Sequence, residues 1–135
     1  MKAIVIDAGP LISFFHKKDP EHQESVKRMK ELQKQKIAIL IPIPILFEVY
    51  KWLLYHVNYN LAQSTLEIMR ESFNLVPIGE SELVAATNLM KTIQNWNGSL
   101  EDAIVIITAK RYNCPVWTMN YRDFGVFKEL EFWSI

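Results

Sequence analysis

The chain has a single cysteine, four glycines and three histidines in 135 residues, and each scarcity closes off a class of answers. One cysteine, Cys114, makes neither an internal disulfide nor a cysteine-type zinc site; beside Pro115 it reads as an inert core or strand-entry thiol. His16, His22 and His56 have neither metal-ligand nor triad spacing. The glycines form no G-x-G-x-x-G and no G-x-x-x-x-G-K-[ST], so nucleotide binding of those kinds is excluded. Long apolar runs are missing too: the longest, Ile37 to Phe47, holds 11 residues and two prolines, short of the roughly 18 that span a bilayer. No signal-peptide pattern opens the chain, because Asp7 interrupts its first apolar stretch, and a cytoplasmic protein with no membrane partner is expected. Fifteen basic residues balance fifteen acidic ones, so nothing in the net charge steers a polyanion, and nucleic-acid binding would need a local patch or a bound metal.

What is present is apolar residues, half of the chain, enough for one substantial core and one domain spanning residues 1–135. Ile4-Val5-Ile6 is a short continuous apolar run of the kind that forms a central parallel strand. Asp7 ends it, and Gly9-Pro10 are expected to turn the chain toward a helix starting near Leu11. Ile37 to Ile41, Leu75 to Ile78 and Pro115 to Thr118 read as further strands, and Leu130 to Ile135 as a last edge strand. Between them fall helices over residues 21–36, over 43–57, expected to be buried almost all round, over 60–73, and over 81–94 with Leu83 and Val84 turned inward, and a helix opened by Ser99 that runs to Asn113, with a loop at 119–125. Lys27, Arg28, Lys30, Lys34 and Lys36 late in the second helix suit its dipole and either a solvated face or a contact for RNA phosphates. Strands alternating with helices predict an α/β fold: three layers, α/β/α, with a central, mostly parallel sheet of four or five strands.

Four acids stand out within this order. Asp7 lies at the carboxyl end of the first strand, the edge where open α/β sheets bind ligands, although an Asp there also suits helix capping. Glu48 is the only acid in the nearly all-apolar helix 43–57, a placement that costs several kcal/mol by rough estimate unless the carboxylate is paired or binds metal; Lys51 offers an i,i+3 partner. Asp102 falls in the first turn after Ser99, where capping alone would account for it. Asp123 follows the strand at 115–118. Helices antiparallel to the strands begin where strands end, so all four acids should face one edge. Carboxylates crowded together raise one another's pKa and are stable chiefly around a hard divalent cation, and oxygen ligands suit Mg²⁺ or Mn²⁺.

In length and order of elements the whole chain resembles the PIN-domain ribonucleases, and within them the VapC-type toxins of toxin–antitoxin pairs. The resemblance rests on Asp7-Ala8-Gly9-Pro10-Leu11-Ile12, Phe47-Glu48-Val49, Ser99-Leu100-Glu101-Asp102-Ala103 and Thr118-Met119-Asn120-Tyr121-Arg122-Asp123-Phe124. One position departs: many members carry Asp where this chain has Asn120, while Asp123-Phe124 match the other acidic position of that motif. The resemblance implies a Mg²⁺-dependent (or Mn²⁺-dependent) endoribonuclease with catalytic Asp7, Glu48, Asp102 and Asp123. Asp7, Asp102 and Asp123 would bind metal, Glu48 would bind it through water or orient the nucleophile, and Ser99, Thr118 and Asn120 would fix the carboxylates. It also implies RNA as substrate, a small antitoxin as partner and a homodimer formed through part of the aromatic-rich helical surface. Two alternatives remain at this level. One is a PIN scaffold used only for binding, with Asn120 marking partial loss of the metal site. The other is a phosphoaspartate enzyme, disfavoured by Gly9 where an acid/base Asp would be needed and by the lack of an adjacent acidic pair after the first strand.

Overall fold

The computed structural model describes residues 2–134. Its strands are β1 (Ala3–Ile6), β2 (Ala38–Pro42), β3 (Asn74–Val76) and β4 (Val116–Trp117); its helices are α1 (Ala8–Phe15), α2 (His22–Lys34), α3 (Ile43–His56), α4 (Tyr59–Ser72), α5 (Glu80–Met90), α6 (Leu100–Tyr112) and α7 (Tyr121–Phe124). The strands form one parallel sheet in the order β3-β2-β1-β4, flanked by helices as the alternating pattern predicts. Ala3 is level with Ala38, and Val5 with both Leu40 and Val116. Ile4, Val5 and Ile6 are fully buried, as a central parallel strand covered on both faces requires. They share a core with Ile41, Ile45, Val49, Leu53, Val105 and Ile106.

The chain moves outward from β1 to β2 to β3, then returns across the sheet to place β4 on the other side of β1. That reversal makes a topological switch point at the carboxyl ends of β1 and β4, the place where open α/β sheets leave a crevice for ligands. Asp7 and Thr118 immediately follow those two strands.

Several local expectations need correction. The first helix starts at Ala8, so Gly9 and Pro10 lie inside its first turn; Pro is tolerated there because a first-turn N–H has no intrahelical acceptor. Helix α2 begins at His22 and α5 ends at Met90. Helix α3 is not buried all round, for Phe47 is 65% and Tyr55 72% exposed, and Leu83 and Val84 of α5 are exposed rather than inward. The stretch 119–125 contains α7, capped by Asn120. Within 130–134 the only pairing is an isolated parallel bridge from Phe132 to Val116, flanked by hydrogen bonds from Val116 N to Glu131 O and from Trp133 N to Val116 O; Ile135 lies outside the described residues.

Candidate active site

Asp7 is 6% exposed and performs two tasks at once. Its backbone is extended (φ −86°, ψ 171°) as the N-cap of α1, and its Oδ1 accepts from Ala8 N at 2.9 Å. Its Oδ2 accepts from Thr118 Oγ1 at 2.8 Å across the switch point. The Thr118 hydroxyl accepts in turn from Asn120 N at 3.0 Å, so two strand ends and the start of α7 are joined through one side chain. Capping and a place in the crevice are therefore compatible for Asp7. Burial pushes its carboxyl up to about 6; the bonds from Thr118 and Ala8 oppose this, and the charges of Asp102 and Glu101 add to it. An acid so placed binds a proton more readily than an exposed one.

Asp102 sits in a reciprocal capping box at the start of α6. Its N–H donates to Ser99 Oγ at 3.0 Å and its Oδ2 accepts from Ser99 N at 2.9 Å, which satisfies two free helix-end donors and locks the carboxylate in place. Burial and the charges of Asp123 and Glu101 raise its pKa against the lowering effect of Ser99. Asp123 is 8% exposed and lies in α7, a helix of four residues. Asn120 links the two acids: its Nδ2 donates to Asp123 Oδ2 at 3.0 Å and, at a marginal 3.5 Å, to Asp102 Oδ2. Arg122, almost fully exposed, lies 3.7 Å from Asp123 Oδ1, a contact that solvent leaves nearly without weight.

Glu48 occupies the second turn of α3, half-buried. Burial, then the charges of Asp7, Glu101 and Asp102, pushes its carboxyl up to about 7. Lys51 is not its partner: among the described residues the ion pairs are Arg28–Glu24, Lys110–Glu129, Arg111–Glu82 and Arg122–Asp123. The mutual influence of Asp7, Glu48 and Asp102 puts them in one electrostatic neighbourhood, and Asp123 joins it through Asp102. A fifth acid belongs there, one that the sequence does not single out. Glu101 raises the pKa of Asp7, Glu48 and Asp102 alike, and with Glu48 it borders an open, largely apolar groove of about 730 Å³ between α3 and the α5–α6 pair. The only signal for it in the sequence was adjacency to Asp102.

The donors of this cluster are hard oxygens, which suit a hard divalent cation. Among the described residues no three Asp, Glu, His or Cys side chains meet as a ready set of ligands for one ion. That spacing still fits Mg²⁺, which keeps several waters and takes only one or two carboxylates directly. Buried acids whose charges repel one another, supplied with few neutralising donors, gain most from such an ion.

The fold has known relatives. The model of the PIN domain family matches residues 4–131. Ribonuclease VapC1 of Methanocaldococcus jannaschii is 24% identical over 128 residues, which cover 93% of this chain and 82% of that protein. Among solved structures, Mycobacterium tuberculosis VapC20, described as a sarcin-ricin loop cleaving toxin, superposes with a TM-score of 0.80 at 12% identity, over 92% of this chain and 95% of that one. VapBC2 of Rickettsia felis, bound to a fragment of promoter DNA, gives a TM-score of 0.78 at 14% identity, with 97% of each chain covered.

Proposed function

The chain belongs to the PIN domain family, and from that membership we propose that it is a divalent-metal-dependent endoribonuclease, the toxin of a toxin–antitoxin pair. The observation that carries the reading is the meeting of Asp7, Thr118, Asn120, Asp102 and Asp123 at the switch point of the sheet. A Mg²⁺ or Mn²⁺ ion bound there supplies charge neutralisation at the scissile phosphate and activation of water. Asp7, Asp102 and Asp123 would hold it, one or two of them directly and the rest through its waters. Thr118 keeps Asp7 ionisable despite its burial, Ser99 holds Asp102 in its rotamer, and Asn120 spaces Asp102 from Asp123, the outer support that tunes such sites. Glu48, at the border of the groove, would orient the attacking water or hold the ion through a water. With water as the nucleophile, the reading needs neither the RNA 2′-hydroxyl nor a histidine; His22 is bonded to Ser13 O and His56 to Trp52 O.

The partner in this reading is a small antitoxin that covers the groove beside the acids. Phe47, Leu83 and Leu100 are each more than 40% exposed there, and Glu48 and Glu101 add an acidic border. A segment with apolar anchors and one basic side chain would complement such a surface. Tyr55 and Tyr59, exposed farther along the same region, suit a homodimer contact, since aromatics are enriched in interfaces. A cytoplasmic location accompanies an RNA substrate; no helix among the described residues is long and apolar enough to cross a membrane. The reading is tested by incubating the purified chain with a structured RNA in Mg²⁺ and in EDTA. Cleavage in Mg²⁺ alone is expected, together with a higher melting temperature on adding the ion; equal results in both conditions would overturn it.

A further inference from the structure

The connection between α5 and α6 carries one large side chain with an unusual set of contacts. Trp96 Nε1 donates to the backbone carbonyl of Asp123 at 2.8 Å, and its ring meets Phe127 edge to face, with centroids 5.4 Å apart. The edge of the same indole that carries Nε1 also lies against Gly98. A Cβ at Gly98 would fall 2.1 to 2.5 Å from three atoms of the six-membered ring, so only glycine allows the ring to sit there. Ser99 comes next, and its N–H and hydroxyl hold Asp102. One indole therefore touches both acid-bearing segments: α7, through the residue that bears Asp123, and the residue just before the capping box of Asp102.

Helix α7 needs such an outside support. Four residues are too few to be stable alone, and the bond from Asp123 N to Asn120 Oδ1 within its cap is long, at 3.4 Å. The indole N–H reaches the main chain of the acid itself, and the ring's seat on Gly98 limits how far α7 and the start of α6 can separate.

We propose that Trp96 is a positioning residue of the acid site, an indole clasp that sets Asp123 at a fixed separation from Ser99 and Asp102 and thereby governs how tightly a divalent cation is held. The proposal rests on the metal-nuclease reading above. It is tested by titrating Mn²⁺, followed by electron paramagnetic resonance, into the wild type, Trp96→Phe and Gly98→Ala. Phenylalanine keeps an aromatic ring and loses the donor; alanine at position 98 keeps the indole and pushes its Nε1 edge away from its seat. The expected result is roughly tenfold weaker Mn²⁺ binding in each variant, the lower end of what losing support around metal ligands costs. In cleavage assays kcat should fall while KM for RNA stays constant, and raised Mn²⁺ should recover much of the loss. Wild-type affinity in both folded variants would overturn the clasp and leave the metal reading intact, as would a lower melting temperature with unchanged Mn²⁺ binding. If Trp96→Phe does not fold, Gly98→Ala decides by the same criterion. No Mn²⁺ binding by the wild type would instead remove the metal reading, and the clasp with it.

Discussion

Thr118 Oγ1 donates to Asp7 Oδ2 at 2.8 Å, so the ends of two neighbouring parallel strands are joined by a hydroxyl that favours the ionised form of a buried acid. Thr118→Val keeps the shape and removes the donor. A hydrogen bond to a charged group is worth about 1.5–3 kcal/mol, and without it the Asp7 carboxyl rises above its present value of about 6. Protons then compete better with the metal. The Mg²⁺ concentration for half-maximal cleavage should increase, more at pH 6, where Asp7 is partly protonated, than at pH 8. Titrating Mg²⁺ at both pH values reads this directly, and an equal effect at the two would place the role of Thr118 elsewhere.

Stability of the metal-free protein should fall as pH rises from 5 to 8. Asp7 goes from 3.8 to about 6 and Glu48 from 4.5 to about 7 on folding; between these values the unfolded chain has lost the protons that the folded chain keeps, so ionisation favours unfolding. For Asp7 the full shift is worth about 3 kcal/mol, of which about half falls between pH 5 and 8; half-buried Glu48 contributes less than its shift suggests because of solvent screening. Glu82, lowered to about 2 by Ser81, Gly79 and Arg111, is largely ionised in both states over this range and adds little slope. Mg²⁺ at pH 8 should reverse the trend, because it binds the ionised acids of the folded state. Denaturant melts at pH 5 and 8, with and without Mg²⁺, check both signs.

Asn120→Asp should weaken the apo protein and increase its response to metal. The amide donates to Asp123 and, marginally, to Asp102; a carboxylate in its place removes both donors and adds a like charge, a loss of about 1–3 kcal/mol. A third neighbouring acid also gives the ion another ligand. Melting curves should show a lower temperature in EDTA and a larger upward shift on adding Mn²⁺ than in the wild type.

Glu101→Gln removes a charge felt by Asp7, Glu48 and Asp102. The metal-free protein should melt higher at pH 8, while cleavage falls by roughly tenfold, the size of effect typical of residues supporting a metal site. A melting temperature that does not move would show that Glu101 faces solvent rather than the cluster.

The edge of the sheet where the acids gather was legible because it follows from topology alone. A buried run ending in Asp7, and a Ser99 cap followed by Asp102, place both acids once the strands are parallel. Short-range chemistry was less legible. Gly9-Pro10 looks like a turn, yet Pro10 fits a helix whose first N–H groups have no acceptor, with Asp7 as its cap. Phe47 and Leu83 read as inside because a helix face that borders a groove carries the same apolar residues as one that faces the core. Glu101 was missed for the opposite reason, since a first-turn acid has an adequate explanation in the helix dipole. The role of Trp96 depends on contacts with Gly98 and Asp123 that no periodicity reveals.

The central claim is that Asp7 holds a metal that cleaves RNA, and Asp7→Asn tests it most directly, because asparagine caps a helix about as well as aspartate and carries no charge. Cleavage of a structured RNA is measured for the wild type and Asp7→Asn, each with Mg²⁺ and with EDTA, beside their metal-free melting temperatures. The account predicts cleavage by the wild type with Mg²⁺ alone, and a variant that is inactive yet melts at or above the wild-type temperature at pH 8. Cleavage by Asp7→Asn at the wild-type rate, or a large loss of stability with no metal-dependent shift in the wild type, would contradict it and leave Asp7 as a helix cap only.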